Sequence, residues 1–180
     1  MKRLLCKIQG FTLTELMAVV IIVAILSAMS AGSFKQAIER SHFSEGLQAG
    51  AAISEAVSRF HYDNLGKANN DYPRMSELDI ELSKWGSCHT SSDYCKKTRY
   101  FEVEVRNGGN VRVFRSKKGT RTDYIITFYP EFGDYKGLET CDATTAAGKN
   151  LCVSMGYTSC SGSLPSEVVC NKSYGVAAAI

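Results

Sequence analysis

The sequence predicts an α+β fold. A long N-terminal helix, one half fit for a membrane and the other amphipathic, packs on a small antiparallel β-sheet, and a disulfide-rich C-terminal region follows. Three observations predict it. From Leu13 to Phe34 run 22 residues in which Glu15 is the only charge. From Lys35 to Tyr62 apolar residues recur at three- and four-residue steps, the period of an amphipathic helix. From Arg99 to Pro130 the period falls to two, and beyond residue 130 lie four of the seven cysteines.

The apolar segment comes first. Its 22 residues would make a helix of ~33 Å at ~1.5 Å per residue. The hydrocarbon core of a bilayer is about 30 Å thick. Lys2, Arg3 and Lys7 all precede it, a bias that keeps the N-terminus in the cytoplasm and sends the rest outward. Two plain explanations compete. A secretory signal peptide has an apolar region of ~7–15 residues before a small-residue cleavage site, and Ser27 to Ala31 offer such a site. A simple single-span anchor is the second. Neither accounts for Glu15, since a carboxylate costs ~2.5–3.5 kcal/mol at the centre of a membrane helix and less near its edge.

Gly10-Phe11-Thr12-Leu13-Thr14-Glu15-Leu16-Met17, behind a short basic leader and ahead of an apolar run, resembles the class III signal of type IV pilins and pseudopilins. The resemblance is close over the first ~35 residues and loose beyond them. It implies that a membrane prepilin peptidase and N-methyltransferase cuts after Gly10 and methylates Phe11. Glu15 is then the acidic residue that guides each subunit into a fibre. It also implies a pilin-like fold and further partners: identical or related pilin subunits in a homo- or heteropolymer, an inner-membrane assembly platform, and the lipid bilayer before assembly. The precursor would be a single-pass inner-membrane protein with a cytoplasmic N-terminus, and the assembled form an extracellular pilus. Physical chemistry agrees. Cleavage creates a cationic amine at Phe11, four residues before Glu15. A buried unpaired ion costs several kcal/mol. Pairing the amine of one subunit with Glu15 of its neighbour neutralises both and fixes the offset between helices, the best-attested use of a buried polar pair.

Composition bounds the rest. Loss of residues 1–10 would leave 170 residues, enough for one domain beyond the anchor, and 8 Phe, 9 Tyr and 1 Trp can build a core. Lys2, Arg3 and Lys7 leave with the leader, so 18 basic residues face 18 acidic ones. Net charge therefore gives no support for a nucleic-acid partner. Cys6 lies in the leader, and Cys88, Cys95, Cys141, Cys152, Cys160 and Cys170 remain. An even count in an exported domain reads as disulfides. Six cysteines allow 15 pairings; proximity favours Cys88–Cys95, Cys141–Cys152 and Cys160–Cys170. The spacings do not match zinc sites, whose cysteines cluster at two to four intervening residues.

In chain order, the expected parts are a leader (1–10), a transmembrane and assembly helix (11–34), an amphipathic stem (35–62), a connecting αβ-loop (63–98), an antiparallel meander (99–130) and the disulfide-rich region (131–180). The stem's stripe is Phe34, Ile38, Phe43, Leu47, Ile53, Val57 and Phe60. The resemblance leads one to expect a mid-stem proline, but the chain has none before Pro73, and Gly32 is the candidate soft point. Gly46-x3-Gly50 is compatible with close packing or with chance. In the loop, Gly66 and Asn69-Asn70-Asp71 are turn residues, while Met75 to Leu82 fit one or two helical turns. The meander reads as Phe101 to Val105, a turn at Asn107-Gly108-Gly109-Asn110, Val111 to Arg115, a second turn over Ser116 to Arg121, and Tyr124 to Tyr129. Such a meander needs a helix on its apolar face. Residues 131–180 show little periodicity beyond Cys152–Met155 and Glu167–Cys170.

No catalytic, cofactor or metal constellation emerges. His42, His61 and His89 are scattered. Asp134, Glu139 and Asp142 offer carboxylates for calcium, but a solvated acidic loop explains their spacing better. Lys96, Lys97, Arg99, Arg115, Lys117, Lys118 and Arg121 read as a solvated sheet edge before they read as a DNA-binding strip. Asn171-Lys172-Ser173 fits a glycosylation acceptor, a triplet common by chance. The leading function is therefore a structural subunit, a major or minor type IV pilin, with adhesion, twitching motility or DNA uptake as roles. The alternatives are a type II secretion pseudopilin and, from another class, a secreted disulfide-rich binding module with an ordinary signal peptide.

Overall fold

The computed structural model describes residues 10–65, 72–88, 92–132, 135, 137–162 and 168–172. Met1 to Gln9 with Cys6, Gly66 to Asp71, His89, Asp134, Glu167 and Ser173 lie outside the described residues. Helix α1 covers Leu13–Asp63. The chain divides into two compact units, 1–39 and 40–180, taken separately here.

In the first unit, the side chains described from Phe11 to Phe34 are exposed, Phe11 at 86%, Leu16 at 61% and Phe34 at 66%. Divided at residues 29–31, α1 offers Leu13–Ala28 and Gly32–Asp63, which together have the length and composition of a membrane span. Among the described residues no single helix does.

The second unit is α+β. Eight strands are described: β1 (Gly86–Ser87), β2 (Cys95–Lys97), β3 (Phe101–Val105), β4 (Val111–Lys117), β5 (Thr120–Phe128), β6 (Glu139–Ala143), β7 (Ser159–Ser161) and β8 (Val168–Asn171). They form one sheet ordered β1-β2-β3-β4-β5-β6-β8-β7, with every pairing antiparallel. A second helix, α2 (Ala146–Ser154), follows β6; Thr145 caps it by accepting the Gly148 N–H at 3.1 Å. The three expected strands thus form the centre of a wider sheet. The αβ-loop adds two short strands on one side and the C-terminal region three on the other. Those three escape sequence patterning because they are short, and their buried positions mix Cys, Ala and Val with the polar Glu139, Thr140 and Asp142.

The β3–β4 connection is a 3-10 turn at Asn107–Gly109, with Gly108 and Gly109 at φ of 78° and 77°. The β4–β5 hairpin turns tightly at Lys118-Gly119, both at positive φ, so each strand runs further than the turn residues suggested.

The core lies between one face of this sheet and residues 40–63 of α1. Buried helix positions are Phe43, Gly46, Gly50, Ile53, Ala56 and Val57, the three- and four-residue steps of one stripe. Facing them are Phe101, Val103 and Val105 of β3, Val111 and Val113 of β4, and Tyr124, Ile126 and Phe128 of β5. Full burial of a large aliphatic or Phe side chain is worth ~1.5–3 kcal/mol, so Phe43, Ile53 and Val57 form a strong lock. The stripe begins at Phe43: Phe34 and Ile38 are exposed.

Gly46 and Gly50 set the spacing. A Cβ at Gly46 would sit 2.9 Å from the Phe101 ring. One at Gly50 would sit 2.2 Å from Phe128 Cε2 and 2.7 Å from Val113 Cγ2. The pair is therefore a packing device that lets two aromatic rings lie against helix backbone.

Met75, Leu78 and Leu82 of the loop are buried in the same core. Residues 75–80 are turns and bends where helical turns were expected. Arg59 of α1 fixes this loop with a two-pronged contact to Asp79, Nε to Oδ2 at 2.7 Å and Nη2 to Oδ1 at 2.9 Å. Disulfides join Cys88 to Cys95, Cys141 on β6 to Cys152 on α2, and Cys160 on β7 to Cys170 on β8.

Two outcomes are expected. Gly50→Ala introduces overpacking worth ~1–3 kcal/mol, partly offset by a helix-propensity gain of ~1 kcal/mol. The net is a lowered melting temperature in detergent, whereas Gly32→Ala, with nothing within 4 Å of its Cβ, leaves the melting temperature unchanged or raised. The Arg59 hydrogen bond holds the Asp79 carboxyl below its ordinary value of 3.8. Its contribution is complete above the unfolded carboxylate range and fades as pH falls through the depressed value. Urea midpoints of wild type and Asp79→Asn, compared at pH 7 and pH 3, should differ at pH 7 and converge at pH 3. The effect is small because both partners are about half exposed.

Candidate functional site

The candidate site is the start of α1. Thr12 is the residue before the helix and Glu15 lies in its first turn. The Thr12 N–H donates to Glu15 Oε2 at 2.8 Å, and the Thr12 hydroxyl donates to the same oxygen at 2.7 Å. In return the Glu15 N–H points to Thr12 Oγ1 at 3.3 Å. This is a reciprocal capping box of the T-x-x-E pattern, which satisfies two of the orphan N–H groups at the helix start. The spacing Thr12-x-x-Glu15 is itself the sequence signature of this box.

The surroundings are apolar and exposed. Leu13, Leu16, Met17, Val19, Val20, Ile21, Ile22, Val23, Ile25 and Leu26 range from 54% to 76% exposed. A helix that is apolar all round belongs in lipid or among other helices. Phe11, at 86%, stands at the tip, with Gly10 beside it. The site thus offers a Gly10-Phe11 junction ahead of the helix, a lone carboxylate four residues on, and an exposed apolar surface behind it.

Residues 5–31 match the family model of the prokaryotic N-terminal methylation motif. The match supports a class III signal of the type IV pilin and pseudopilin family, and hence a precursor of the pilin or pseudopilin kind. No curated protein and no solved structure matches the chain.

The other sequence candidates are distributed over the second unit. Glu139 is engaged at both oxygens, by the buried Tyr157 hydroxyl and by Lys172 Nζ at 2.9 Å. Asp142, three residues along the same strand, faces the other side of the sheet beside Thr127 Oγ1 at 3.4 Å. These two carboxylates therefore sit on a strand, on opposite faces, and do not share a calcium site; Asp134 is outside the described residues. Cys88, Cys95 and Glu102 lie close together, but the two sulfurs are spent on each other in a disulfide.

Of the seven basic candidates, Arg115, Lys117 and Arg121 are held by partners. Arg121 Nε binds Glu102 Oε2 at 2.8 Å and its guanidinium lies 3.7 Å from the Phe114 ring centroid. Lys117 pairs with Asp123. Arg115 turns inward and is 3% exposed. It donates to the carbonyls of Tyr100 at 3.0 Å and Ser116 at 2.8 Å, and through Nη2 to His42 Nδ1 at 3.1 Å. A guanidinium can only donate, so Nδ1 of His42 accepts. His61 stacks on Phe132 with centroids 3.7 Å apart. These contacts are structural. Asn171 ends β8, and Ser173 of its triplet lies outside the described residues.

Replacing Thr12 by Ala removes the capping box. Losing such a cap costs ~0.5–2 kcal/mol, so amide exchange over Leu13 to Leu16 of the unprocessed chain in detergent should quicken several-fold, with exchange in β3 to β5 unchanged.

Proposed function

We propose that this chain is a structural subunit, a major or minor pilin, of an extracellular type IV pilus. It is held in the inner membrane by its N-terminal helix, cut after Gly10, methylated at Phe11 and polymerised through that helix. The observation that carries this is the exposed apolar surface of residues 13–28 with one carboxylate, Glu15, at its start, inside the segment that matches the methylation motif.

The mechanism is assembly. Leaving lipid for a bundle of like helices costs little hydrophobic free energy, because both surroundings are apolar. The amine freed at Phe11 cannot be buried alone, and neither can Glu15. Cleavage also changes Thr12 from a peptide in mid-chain to the second residue, next to a positive charge. Glu15 then has two claimants, its own capping N–H and the amine of a neighbour. Both bonds to the carboxylate are charge-assisted, but the amine brings a full opposite charge, whose attraction is strong in an apolar surrounding, and this favours the inter-subunit pair.

The disulfide-linked second unit then forms the outer skin of the fibre. With basic and acidic side chains balanced after processing, its surface is suited to contacts between subunits more than to capture of a polyanion.

Intact-mass analysis of the exported chain tests the reading. Loss of residues 1–10 plus one methyl group is expected. Cleavage near Ala28 to Ala31 would instead identify a secreted module. Glu15→Ala should be inserted and processed normally yet give little sheared filament; wild-type filament yield from that variant would exclude the registry role.

A further inference from the structure

On the face of the sheet turned away from α1 lies an open cleft of about 680 Å3, within the ~300–1,000 Å3 usual for small-molecule sites. Its floor crosses four strands. Glu104 of β3 is in register with Arg112 of β4, and Arg112 with Thr127 of β5. Asp142 of β6 lies diagonal to Thr127. At ~4.8 Å per strand the floor is ~14 Å long. Tyr72 and Tyr94 line it, their rings 4.7 Å apart and braced on each other, and so does Tyr129, whose ring rests 5.2 Å from Tyr135.

The chemistry of the lining is specific. Two carboxylates, Glu104 and Asp142, balance two guanidiniums, Arg106 and Arg112, so the cleft has no cationic excess for a phosphate or polyanion. Arg106 binds Glu104 directly, Nε to Oε1 at 3.3 Å. Asn107, Asn110 and Ser92 add neutral donors and acceptors. Burial, and then the Asp142 charge, raise the pKa of the Tyr129 phenol, a group that is a hydrogen-bond donor at neutral pH in any case. What remains is a row of planar groups able to give and take paired hydrogen bonds, alongside tyrosine rings. That combination suits a ligand that is uncharged, dense in vicinal hydroxyls and apolar on its ring faces.

We infer that this cleft binds a neutral oligosaccharide, with Tyr72, Tyr94 and Tyr129 lying against sugar ring faces and Glu104, Arg112 and Asp142 pairing with hydroxyls. The inference does not rest on fibre assembly: each lining residue belongs to the second unit, and a single chain contains the whole cleft.

The test is titration calorimetry on the full-length chain in a detergent without a sugar headgroup, using maltotetraose, cellotetraose, chitotetraose and a lactose-terminated tetrasaccharide, with a sulfated tetrasaccharide as the anionic comparison. Saturable binding of at least one is expected. Tyr129→Ala and Arg112→Ala should each weaken it by about tenfold or more, and the exposed Asn107→Ala should weaken it less. Melting temperature and intact disulfides establish that each variant is folded. Should Tyr129→Ala unfold, Arg112→Ala and Asn107→Ala decide. No saturable binding to any of the four, preference for a sulfated tetrasaccharide over all of them, or equal affinity in folded Arg112→Ala would overturn the inference. A failure here leaves the mass of the processed chain untouched, so it is separable from failure of the assembly reading.

Discussion

Among the described residues, the large apolar side chains from Leu13 to Leu26 are all exposed. They stand more than half exposed along a helix that is apolar all round. At ~25 cal/mol per Å2, leaving that area in water is prohibitive, so the helix must be solvated by hydrocarbon or by other helices. Every other feature accommodates this demand. The second unit builds its own core from residues 43 onward. The polar chemistry of the segment is gathered at one end, where Thr12 and Glu15 satisfy each other through two charge-assisted hydrogen bonds. A carboxylate so placed is tolerable in an apolar setting because its partners come with it.

The chain legible from sequence was the chain with strong periodicity. The stem, the three central strands and the turn at Gly108-Gly109 follow from spacing and turn chemistry, because a helix period of 3.6 and a strand period of 2 leave different traces. Less legible were the five short strands. Residues such as Gly86-Ser87 or Ser159-Cys160-Ser161 carry no hydrophobic alternation, and they are strands because a neighbour with unpaired edge groups lies beside them. Glu102 shows a different limit. Its alternation with Phe101 and Val103 predicts solvent, yet it is 4% exposed under Arg121, a partner 19 residues away that local pattern cannot reveal. At the candidate site the motif and Glu15 are legible, whereas the capping role of Thr12 is masked by the apolar run into which the T-x-x-E spacing leads.

The two faces of the sheet divide their tasks. Toward α1, small residues do as much as large ones: Gly46 and Gly50 admit the rings of Phe101 and Phe128, and the strands supply valines of uniform depth. Away from α1 the sheet is charged but largely self-neutralised. Arg121 caps Glu102, Arg106 holds Glu104, and the Phe114 ring is sandwiched by guanidiniums of Arg112 and Arg121. This arrangement keeps a broad surface polar while spending its net charge, and it leaves the floor between β3 and β6 lined by groups in opposed pairs.

The order of β6, β8 and β7 sets three sulfurs side by side. Cys170 stands opposite Cys141 on one neighbour and opposite Cys160 on the other, yet it bonds the latter, while Cys141 reaches out of the sheet to α2. While the chain is still partly reduced, the same strand order therefore allows either Cys160–Cys170, with Cys141 and Cys152 still thiols, or Cys141–Cys170, with Cys152 and Cys160 still thiols; the second becomes the first when the Cys160 thiolate attacks the Cys170 sulfur and releases the Cys141 thiolate. What separates the two isomers is whether α2 has docked before oxidation is complete. Docked beside β6, α2 presents Cys152 to the Cys141 thiolate, and the helix, by arriving, selects the sulfur.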